Sequence, residues 1–432
     1  MYLRHVSIKN VRSIEQFLLS FDETETAGWH VILGANGAGK STVVRSIALA
    51  LAGPKEAAAL RQNWNTWQRH QAEPGRIEVA ISAGAKDVVT GKGRGAAEFD
   101  FKIEFRPLEA SLSGPRVEPV ALKEGKAKAE RSVWGTKKGW FSASFGPFRR
   151  FTGGDPGYDR LWFTNPRLAS HLTAFGEDIA LTEGLRWLRE LRVRQLEAGA
   201  ESGKLLEKLV QFLNASDLLP HDAKIEEVRA EEIILVDANG FQVAVEQMSD
   251  GYRSVLSTIF EILRQMTKAY GIEEVYSSID IESKSVKLPG VVVIDEIDAH
   301  LHPTWQRDIG PWFTRCFPEV QFIVTTHSPI VCRAATSVWR LPEPGTEDQA
   351  GRVEGVVLQR LIHGSILEAY GTEYFGRNIA RSDDSKHLLT ELAVLNRKAL
   401  RSNLTSSEAE RMRELRDTLP TEATDLDAEP QN

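Results

Sequence analysis

The eight residues GANGAGKS, from Gly34 to Ser41, match the phosphate-binding loop pattern G-x-x-x-x-G-K-S in full. The apolar run HVIL precedes them and the helix-like segment TVVRSIALALA follows them, which predicts the strand, loop and helix that this motif requires. Glycines allow backbone N–H groups to surround phosphate oxygens at the start of a helix. The stretch therefore predicts a nucleotide-binding fold of the α/β class.

Several residues of this loop and of the helix that follows are candidate ligands of ATP: Gly34, Asn36, Gly37, Ala38, Gly39, Lys40, Ser41 and Thr42. We expect Lys40 to neutralise the β- and γ-phosphates as a catalytic residue, and Ser41 to offer a hydroxyl ligand to Mg²⁺. A chance glycine-rich turn is the alternative interpretation. The complete pattern between a predicted strand and a predicted helix argues against it.

Two further apolar strands end in polar residues. The run VVVIDE, Val291 to Glu296, ends in two acids, and VQFIVTT ends immediately before His327. We expect Asp295 to bind Mg²⁺ and Glu296 to accept a proton from an attacking water. His327 is expected to reach the γ-phosphate or that water. Continuous apolar strands alternating with helices predict a parallel sheet covered on both faces.

The stretch EQMSDGYRS, Glu246 to Ser254, comes just before a long amphipathic helical pattern. At this position Ser249 offers a hydroxyl and Gly251 an unobstructed backbone N–H beside the start of a helix, a second phosphate-binding edge. A bound ATP already has its own loop, so we expect this second edge to serve the ATP of a neighbouring molecule. An ordinary helix N-cap is the alternative.

Length and composition set broad limits. The chain has 432 residues, 42% of them apolar, which is enough for a substantial core. A net charge of -7 requires no nucleic-acid partner. The two cysteines, Cys316 and Cys332, have neither metal-ligand spacing nor a disulfide pattern, which favours a reducing compartment. Neither a signal peptide nor a run of ~20 apolar residues is recognisable, so we expect a cytoplasmic protein without a membrane partner.

The pattern predicts an ATPase core formed by residues 1–55 and 240–365, with residues 56–239 as an inserted lobe. The lobe is expected to contain a strand pair at RIEVAIS and EFDFKIEF, a loop-rich part at 107–139, and short helices between Pro166 and Leu213. Residues 366–432 are expected to form C-terminal helices with a disordered acidic tail from Pro420 onward.

Residues 123–150 form a locally basic stretch in which Trp134 and Trp140 are interleaved. This composition is compatible with contacts to the phosphates and bases of DNA; a solvated charged loop is the alternative, and it is favoured. His300 and His302 are too few for a metal site. We interpret them as shaping the turn after the acid pair, with Asp298 as a candidate contact across an interface.

The order of these motifs resembles that of ABC-type ATPases in the branch of the SMC, RecF and OLD families. MSDGYRS stands in the place of their LSGGQ signature, VVVIDE and TTHS follow, and IKNVRSI is similar to the strand that opens RecF-like heads. DEIDAHLHP with FIVTTHSP resembles the compact stand-alone AAA-annotated ATPases of bacterial defence operons. The resemblance covers residues 1–55 and 240–335. It implies a P-loop NTPase fold with an ABC-type head, a mixed sheet covered by helices, and an inserted α+β lobe.

The resemblance also implies hydrolysis of ATP to ADP and phosphate in a head-to-head homodimer, with each site built from one chain's loop and the other's signature. The first hypothesis is an ATP-driven switch that relays its state to a separate effector protein, such as a nuclease in phage defence. The alternative is a RecF-like repair ATPase that binds DNA. Asp250 and Tyr252 replace residues typical of transporters. A Q-loop glutamine is not recognisable, and Gly146 or Arg149 are candidates for its role.

Overall fold

The computed structural model describes residues 1–69, 73–90, 96–107, 116–136, 138–149, 158–176, 181–198, 201–217, 219, 223–237, 239–346, 348–364, 369, 383–401 and 404–419. The chain divides into two compact units, Met1–Gly364 and Ser365–Asn432. The first unit contains all the strands of the described part of the chain.

The strands are β1 Tyr2–Val11, β2 Ile14–Ser20, β3 Gly28–Leu33, β4 Arg76–Ser82, β5 Glu98–Pro107, β6 Val117–Ala121, β7 Phe141–Phe145, β8 Lys224–Val228, β9 Ile233–Val236, β10 Gln242–Ala244, β11 Ile279–Asp280, β12 Ser285–Val286, β13 Gly290–Ile294, β14 Val320–Thr326, β15 Ser337–Arg340 and β16 Gly351–Arg352.

The helices of the first unit are α1 Lys40–Ala52, α2 Pro54–Ala57, α3 Lys123–Arg131, α4 Asp159–Thr164, α5 Pro166–Ala169, α6 Thr182–Ala198, α7 Glu201–Ala215, α8 Asp250–Tyr270, α9 Ile272–Ser278, α10 Pro303–Cys316 and α11 Gly355–His363.

The central sheet has six strands in the order β16-β15-β3-β14-β13-β7. All neighbours are parallel except β15 and β16. Every residue of β13 and β14 is buried, as their continuous apolar sequences predict. Because the carboxyl ends of parallel strands meet at one edge, this sheet brings the ends of β3, β13 and β14 together. The predicted α/β class with a mixed sheet is confirmed.

A second sheet is antiparallel and has the order β2-β1-β4-β5-β6. In β4 the residues alternate between buried and half-buried, the pattern of a sheet with one face toward the core. Helix α1 contacts β1 and β4 of this sheet and also β7, β13 and β14 of the central sheet. Because α1 lies between two sheets, eleven of its thirteen residues are buried.

The middle of the chain differs from the sequence-based expectation. The predicted pairing of RIEVAIS with EFDFKIEF is present as β4 and β5, but both strands extend the sheet that begins with β1. Strand β7 pairs with β13 in the central sheet. These strands thus join the two main sheets instead of forming a lobe of their own. The expectation of loops at 107–139 is wrong for β6 and α3, which are too short to give a clear periodicity.

Helix α8 follows the stretch EQMSDGYRS and has its residues buried from Ser254 to Met266. It contacts β7 and α6. Inside this packing, Arg264 donates hydrogen bonds to both carboxylate oxygens of Glu261 at 2.7 Å. The pairing compensates the two charges for the hydration that they lose on burial.

The second unit contains the helices Asp383–Arg401 and Ser406–Thr418, as predicted for the C-terminal residues. They share a cluster of buried side chains: Leu392, Leu395, Leu415 and Leu419. Thr405 and Glu408 form a capping box at the second helix, the Ser/Thr cap that the sequence indicates. The tail predicted to be disordered, from Pro420 onward, lies outside the described residues. Within the described chain, no helix is long and apolar enough to cross a membrane.

Candidate functional site

The phosphate-binding loop connects β3 to α1. Gly37 and Gly39 have φ values of +81° and +104°, which residues with a Cβ rarely adopt. A Cβ at Gly39 would also lie 2.8 Å from the hydroxyl oxygen of Ser13. Gly39 is the N-cap of α1 and provides no side-chain cap. The N–H groups of the first helical turn therefore lack a capping side chain, which suits an anion.

Lys40 lies inside this loop with only 5% of its surface exposed. Its Nζ donates hydrogen bonds to the carbonyl oxygens of Gly34 at 2.7 Å and Ala35 at 3.1 Å. Burial lowers the pKa of Lys40, while Glu296, Asp295 and others act in the opposite direction. The loop that carries Lys40 and the acids after β13 lie at the same edge of the central sheet, separated by β14.

The other predicted nucleotide ligands lie on the same loop and first helical turn. Asn36 is exposed at the tip, whereas Ala38 is buried and donates its N–H to the Ala35 carbonyl at 3.2 Å. Ser41 is half-buried and Thr42 is buried at the start of α1. The fold gathers all eight residues in one place, and their binding of ATP stays a prediction.

The acid pair forms a tight turn directly after β13. The Asp295 side chain is buried, and its Oδ1 accepts a hydrogen bond from Thr325 Oγ1 at 2.6 Å. The same Thr325 oxygen accepts from the backbone N–H of Glu296 at 2.8 Å. Glu296 is half-exposed and has a φ of +47°, a strained value for a residue other than glycine. Thr325, which was not among the predicted site residues, thus contacts both acids.

The oxygen donors at this edge fit Mg²⁺. Asp295 keeps its second carboxylate oxygen beyond the one that Thr325 contacts, and Ser41 offers a hydroxyl. In the described residues no group of three or more His, Cys, Asp or Glu could hold a metal by itself. Mg²⁺ in nucleotide sites is held by one or two protein oxygens together with phosphates and waters, which agrees with this sparse set.

His327 directly follows β14, at the same edge as the acid pair. Its side chain is 48% exposed, and Nε2 lies 3.4 Å from Oδ2 of Asp298. The other carboxylate oxygen of Asp298 accepts from Thr326 Oγ1 at 2.6 Å. Asp298 is buried against its own chain, so the structure gives it a local role in orienting His327 and not the exposed position expected for an interface contact.

Arg149 follows β7 and lies beneath the acid turn with 4% of its surface exposed. Its guanidinium donates to the backbone carbonyls of Asp295 at 2.7 Å and Glu296 at 3.0 Å. It also donates to the Ser254 hydroxyl oxygen in α8 at 2.9 Å. Burial lowers the pKa of Arg149 to about 10, against the opposing effect of the nearby carboxylates. Arg149, a candidate for the role of the Q-loop glutamine, thus donates to backbone carbonyl oxygens of the acid turn.

The signature stretch begins α8. Ser249 is the N-cap residue, yet its side chain makes no capping hydrogen bond. A Cβ at Gly251 would lie 2.9 Å from the carbonyl oxygen of His300, so close packing within the chain already requires glycine here. Tyr252 packs against Trp305 with ring centroids 4.9 Å apart. The Ser249 hydroxyl is therefore not used by its own helix, and its role toward ATP stays a prediction.

The two histidines after the acid pair have the turn-shaping positions expected for them. His300 is exposed with a φ of +65°. His302 is the N-cap of α10 and accepts from the Thr304 N–H through its side chain. The N-cap contact gives His302 a structural role, and the positive φ of His300 forms part of the turn.

The two tryptophans of the basic stretch at 123–150 are not accessible for stacking on DNA bases. Trp134 and Trp140 are buried, and the indole N–H of Trp134 donates to the Ala50 carbonyl of α1 at 2.8 Å. Both rings fill the core beside the sheets, so they do not lie between the exposed basic residues on the surface, and the solvated charged segment stays the favoured interpretation. Lys137 and Arg150 lie outside the described residues. Lys123, Lys126, Lys128 and Arg131 lie exposed on α3.

A cleft of about 840 Å³ opens beside the phosphate-binding loop. Its walls are Ser13 with the first five residues of β2, the loop residues Gly37 and Ala38, and residues 341–346 and 348–350. On the first wall, Arg69 donates to the Ser13 carbonyl at 2.7 Å. The cleft is a space next to the phosphate loop in which a nucleoside can lie.

Two family models match the chain. One is described as an AAA domain, putative AbiEii toxin, Type IV TA system, and matches residues 153–333. The other is described as an AAA domain and matches residues 5–113. Between them they include the phosphate-binding loop, the signature stretch, the acid pair and His327.

Among curated proteins, the Retron Ec83 probable ATPase of Escherichia coli is 32% identical over 188 residues, which cover 39% of this chain and 32% of that protein. The Septu protein PtuA of Bacillus mycoides (strain KBAB4) is 23% identical over 337 residues, covering 77% of this chain and 39% of that protein. The matched part thus spans between about a third and two fifths of these relatives.

Among solved structures, the SmcHead bound to the C-winged helix domain of ScpA aligns with a TM-score of 0.46 and 15% identity, over 82% of this chain and 98% of that one. The family matches and the curated relatives confirm the resemblance that the motifs predicted. Two parts of the chain thus match AAA-domain models, and the chain is similar to the Retron Ec83 probable ATPase and to the Septu protein PtuA.

Proposed function

We propose that this protein is an ATP-driven molecular switch, which closes head to head around ATP, hydrolyses it, and relays its state to a separate effector protein. The observation that carries this proposal is the placement of the phosphate-binding loop after β3 and of the acid pair after β13 at the carboxyl edge of one parallel sheet, with only β14 between them. A phosphate loop facing a rigid acid pair is the arrangement that phosphoryl transfer to water requires.

In this proposal the phosphates of ATP lie in the loop between Gly34 and Thr42, and the nucleoside lies in the neighbouring cleft. Lys40 already bonds two carbonyl oxygens of the loop, so its ammonium group is placed to turn toward phosphate oxygens. Ser41 and Asp295 would hold Mg²⁺ together with the phosphates, and the ion would supply charge neutralisation at the γ-phosphate.

Hydrolysis proceeds by attack of water on the γ-phosphorus. As the new P–O bond forms, the bond to the oxygen bridging the β- and γ-phosphates breaks, which releases ADP and phosphate. Glu296 takes the proton of the attacking water. His327, which Asp298 orients, lies where its imidazole ring can form a hydrogen bond with the attacking water.

The unused capping position at the start of the signature helix supports the proposed dimer. Ser249 sits at the start of a 21-residue helix and leaves its own capping position unused. A hydroxyl and helix N–H groups that the chain does not consume itself suit the γ-phosphate of a second protomer. The family resemblance supports the same arrangement, in which two identical chains sandwich two ATP molecules.

Relay to a partner has a structural basis in α6 and α7. Glu183 of α6 lies 3.9 Å from Arg264 of the signature helix α8, and Arg189 of α6 pairs with Glu246 just before the signature. A shift of the signature on ATP is thus conveyed to α6. The similarity to a retron ATPase and a Septu protein favours a cytoplasmic role in phage defence with a separate effector. The two buried free cysteines agree with a reducing compartment.

A RecF-like DNA-binding ATPase is the less favoured function. DNA binding was considered because Trp134 and Trp140 stand between basic residues in the sequence, but both indole rings are buried. Contacts through α3 would be electrostatic and would weaken steeply with salt. A DNA-binding titration at two salt concentrations separates this function from the switch.

The proposed closure predicts that Mg²⁺ and a slowly hydrolysed ATP analogue convert the protein from monomer to dimer. Light scattering coupled to size-exclusion chromatography measures this, with ADP as the control ligand that leaves the monomer. Turnover per chain should also rise with protein concentration, because both heads are needed for each site. A turnover per chain that is independent of concentration, in a protein that stays monomeric with the analogue, would contradict the switch.

A further inference from the structure

Arg149 forms hydrogen bonds with two functional parts of the molecule, the acid turn after β13 and the signature helix α8. From its position after β7, the guanidinium reaches the backbone carbonyls of Asp295, Glu296 and Ile297 at 2.7, 3.0 and 3.4 Å. It also reaches the Gly146 carbonyl at 3.0 Å and the Ser254 hydroxyl oxygen at 2.9 Å. One buried side chain thus holds the acid turn on one side and the signature helix on the other.

The acid turn depends on this support. Three successive carbonyls point at one cation because Glu296 adopts a φ of +47°, a conformation that persists only where its surroundings enforce it. Arg149 provides a planar, permanently charged donor set that matches several acceptors at once. A change in the position of the guanidinium therefore changes the position of the Glu296 backbone, and with it the catalytic carboxylate.

The signature helix is the other end of the link. Ser254 lies in α8 five residues after Ser249 and is buried. Its hydroxyl oxygen accepts from Arg149, while its carbonyl accepts from Ser257 at 3.0 Å and Thr258 at 2.8 Å. Because α8 is a continuous helix, a shift of its N-terminal turn on meeting a phosphate moves Ser254 with it.

In the proposed dimer these two ends serve different ATP molecules. The acid turn of a chain acts on the ATP in its own phosphate loop, whereas its signature meets the ATP of the partner. We propose that Arg149 is a positioning residue that couples the two ATP sites, by linking engagement of a chain's signature to the placement of that chain's own Glu296. This inference rests on the proposed function, since it requires the head-to-head dimer.

The test removes one end of the link. Ser254→Ala deletes the acceptor of Arg149 in α8 and leaves the contacts to the acid turn in place. Ser257→Ala is the matched control, because it removes an equally buried serine hydroxyl from the same helix without touching Arg149. Steady-state turnover is measured across ATP concentrations, together with ATP affinity by calorimetry and dimerisation by light scattering.

We expect wild-type protein and Ser257→Ala to show a Hill coefficient clearly above 1, up to the maximum of about 2 that two coupled sites allow. In Ser254→Ala it falls to about 1 and kcat falls about tenfold, while ATP affinity and dimerisation change less than about twofold. A purely structural role of the contact would lower affinity and dimerisation together with kcat. Arg149→Lys, which keeps the charge but loses the multiple donors, is expected to give the same loss of cooperativity.

The inference is overturned if Ser254→Ala matches Ser257→Ala in kcat and Hill coefficient, or if wild-type protein dimerises with ATP but is not cooperative. If Ser254→Ala does not fold, by comparison of its thermal melting with that of Ser257→Ala, the decision passes to Arg149→Lys on the same criteria. Failure of the proposed function gives a different result, namely wild-type protein that does not dimerise with ATP.

Discussion

Replacing Glu296 by glutamine is expected to slow ATP hydrolysis by about 10²- to 10⁴-fold, the range typical for loss of a general base. The amide keeps the size of the side chain but cannot take the proton of the attacking water. Binding of ATP should stay within about twofold of wild type, because Lys40 and Asp295 are unchanged. Turnover and calorimetric affinity, measured on the same protein, separate the two effects.

Glu130→Gln is the matched control for this variant, since Glu130 lies exposed on α3 and undergoes the same chemical change. It should hydrolyse ATP at the wild-type rate. A Glu296→Gln protein that keeps near-normal turnover would remove Glu296 from the role of base and leave the acid turn with a structural function.

Replacing Lys40 by alanine is expected to weaken ATP binding by about 100-fold, or about 3 kcal/mol, because charge-assisted hydrogen bonds to the phosphates are lost. Turnover should fall to background in the same variant. Isothermal titration calorimetry with Mg²⁺ and ATP measures the affinity.

Lys55→Ala is the control, because Lys55 is exposed on α2 a short distance along the chain. The melting temperature of Lys40→Ala without nucleotide verifies that the loop still folds, since the lysine also bonds two loop carbonyls. An unchanged affinity in a folded Lys40→Ala protein would contradict the assignment of the phosphate-binding loop.

The sequence was sufficient for the parts of the site that consist of consecutive residues. The loop at Gly34, the acid pair after β13 and His327 after β14 each follow an apolar strand, and parallel strands bring their carboxyl ends together. Strand, loop and helix could therefore be predicted from local patterns and the motifs themselves.

Long-range pairing could not be predicted in the same way. Strands β4 and β5 have the alternation expected of a pair, but nothing in that pattern shows that β4 also pairs with β1. Trp134 resembles an exposed residue because basic residues flank it, yet its ring packs against Phe101 at 4.9 Å. In the sequence, nothing distinguishes Arg149 from the other basic residues of the stretch 123–150. Four of its five hydrogen bonds depend on segments that are more than a hundred residues away, and the fifth is to the nearby Gly146 carbonyl.

The central claim, that the signature serves the ATP of a second protomer, is tested by mixing two inactive variants. Ser249→Arg places a bulky cation at the proposed interface and should bind ATP but not hydrolyse it. Lys40→Ala has an intact signature and a defective loop. In a mixed dimer, one site combines the two defects, while the other combines an intact loop with an intact signature.

An equimolar mixture of Ser249→Arg and Lys40→Ala should therefore regain ATP turnover above that of either variant alone. Random pairing sets a ceiling of about a quarter of the wild-type rate per chain, since half of the dimers are mixed and each has one working site. Coupling through Arg149 places the rate about tenfold below this ceiling, because the chain that supplies Glu296 to the working site carries the defective signature. A mixture of Lys40→Ala with Glu296→Gln is the negative control, because the loop and the acid of a chain act on the same ATP. Dimerisation is followed in both mixtures. Turnover that recovers only in the first mixture is the result predicted here; a first mixture that forms dimers with ATP and stays as inactive as its components would contradict it.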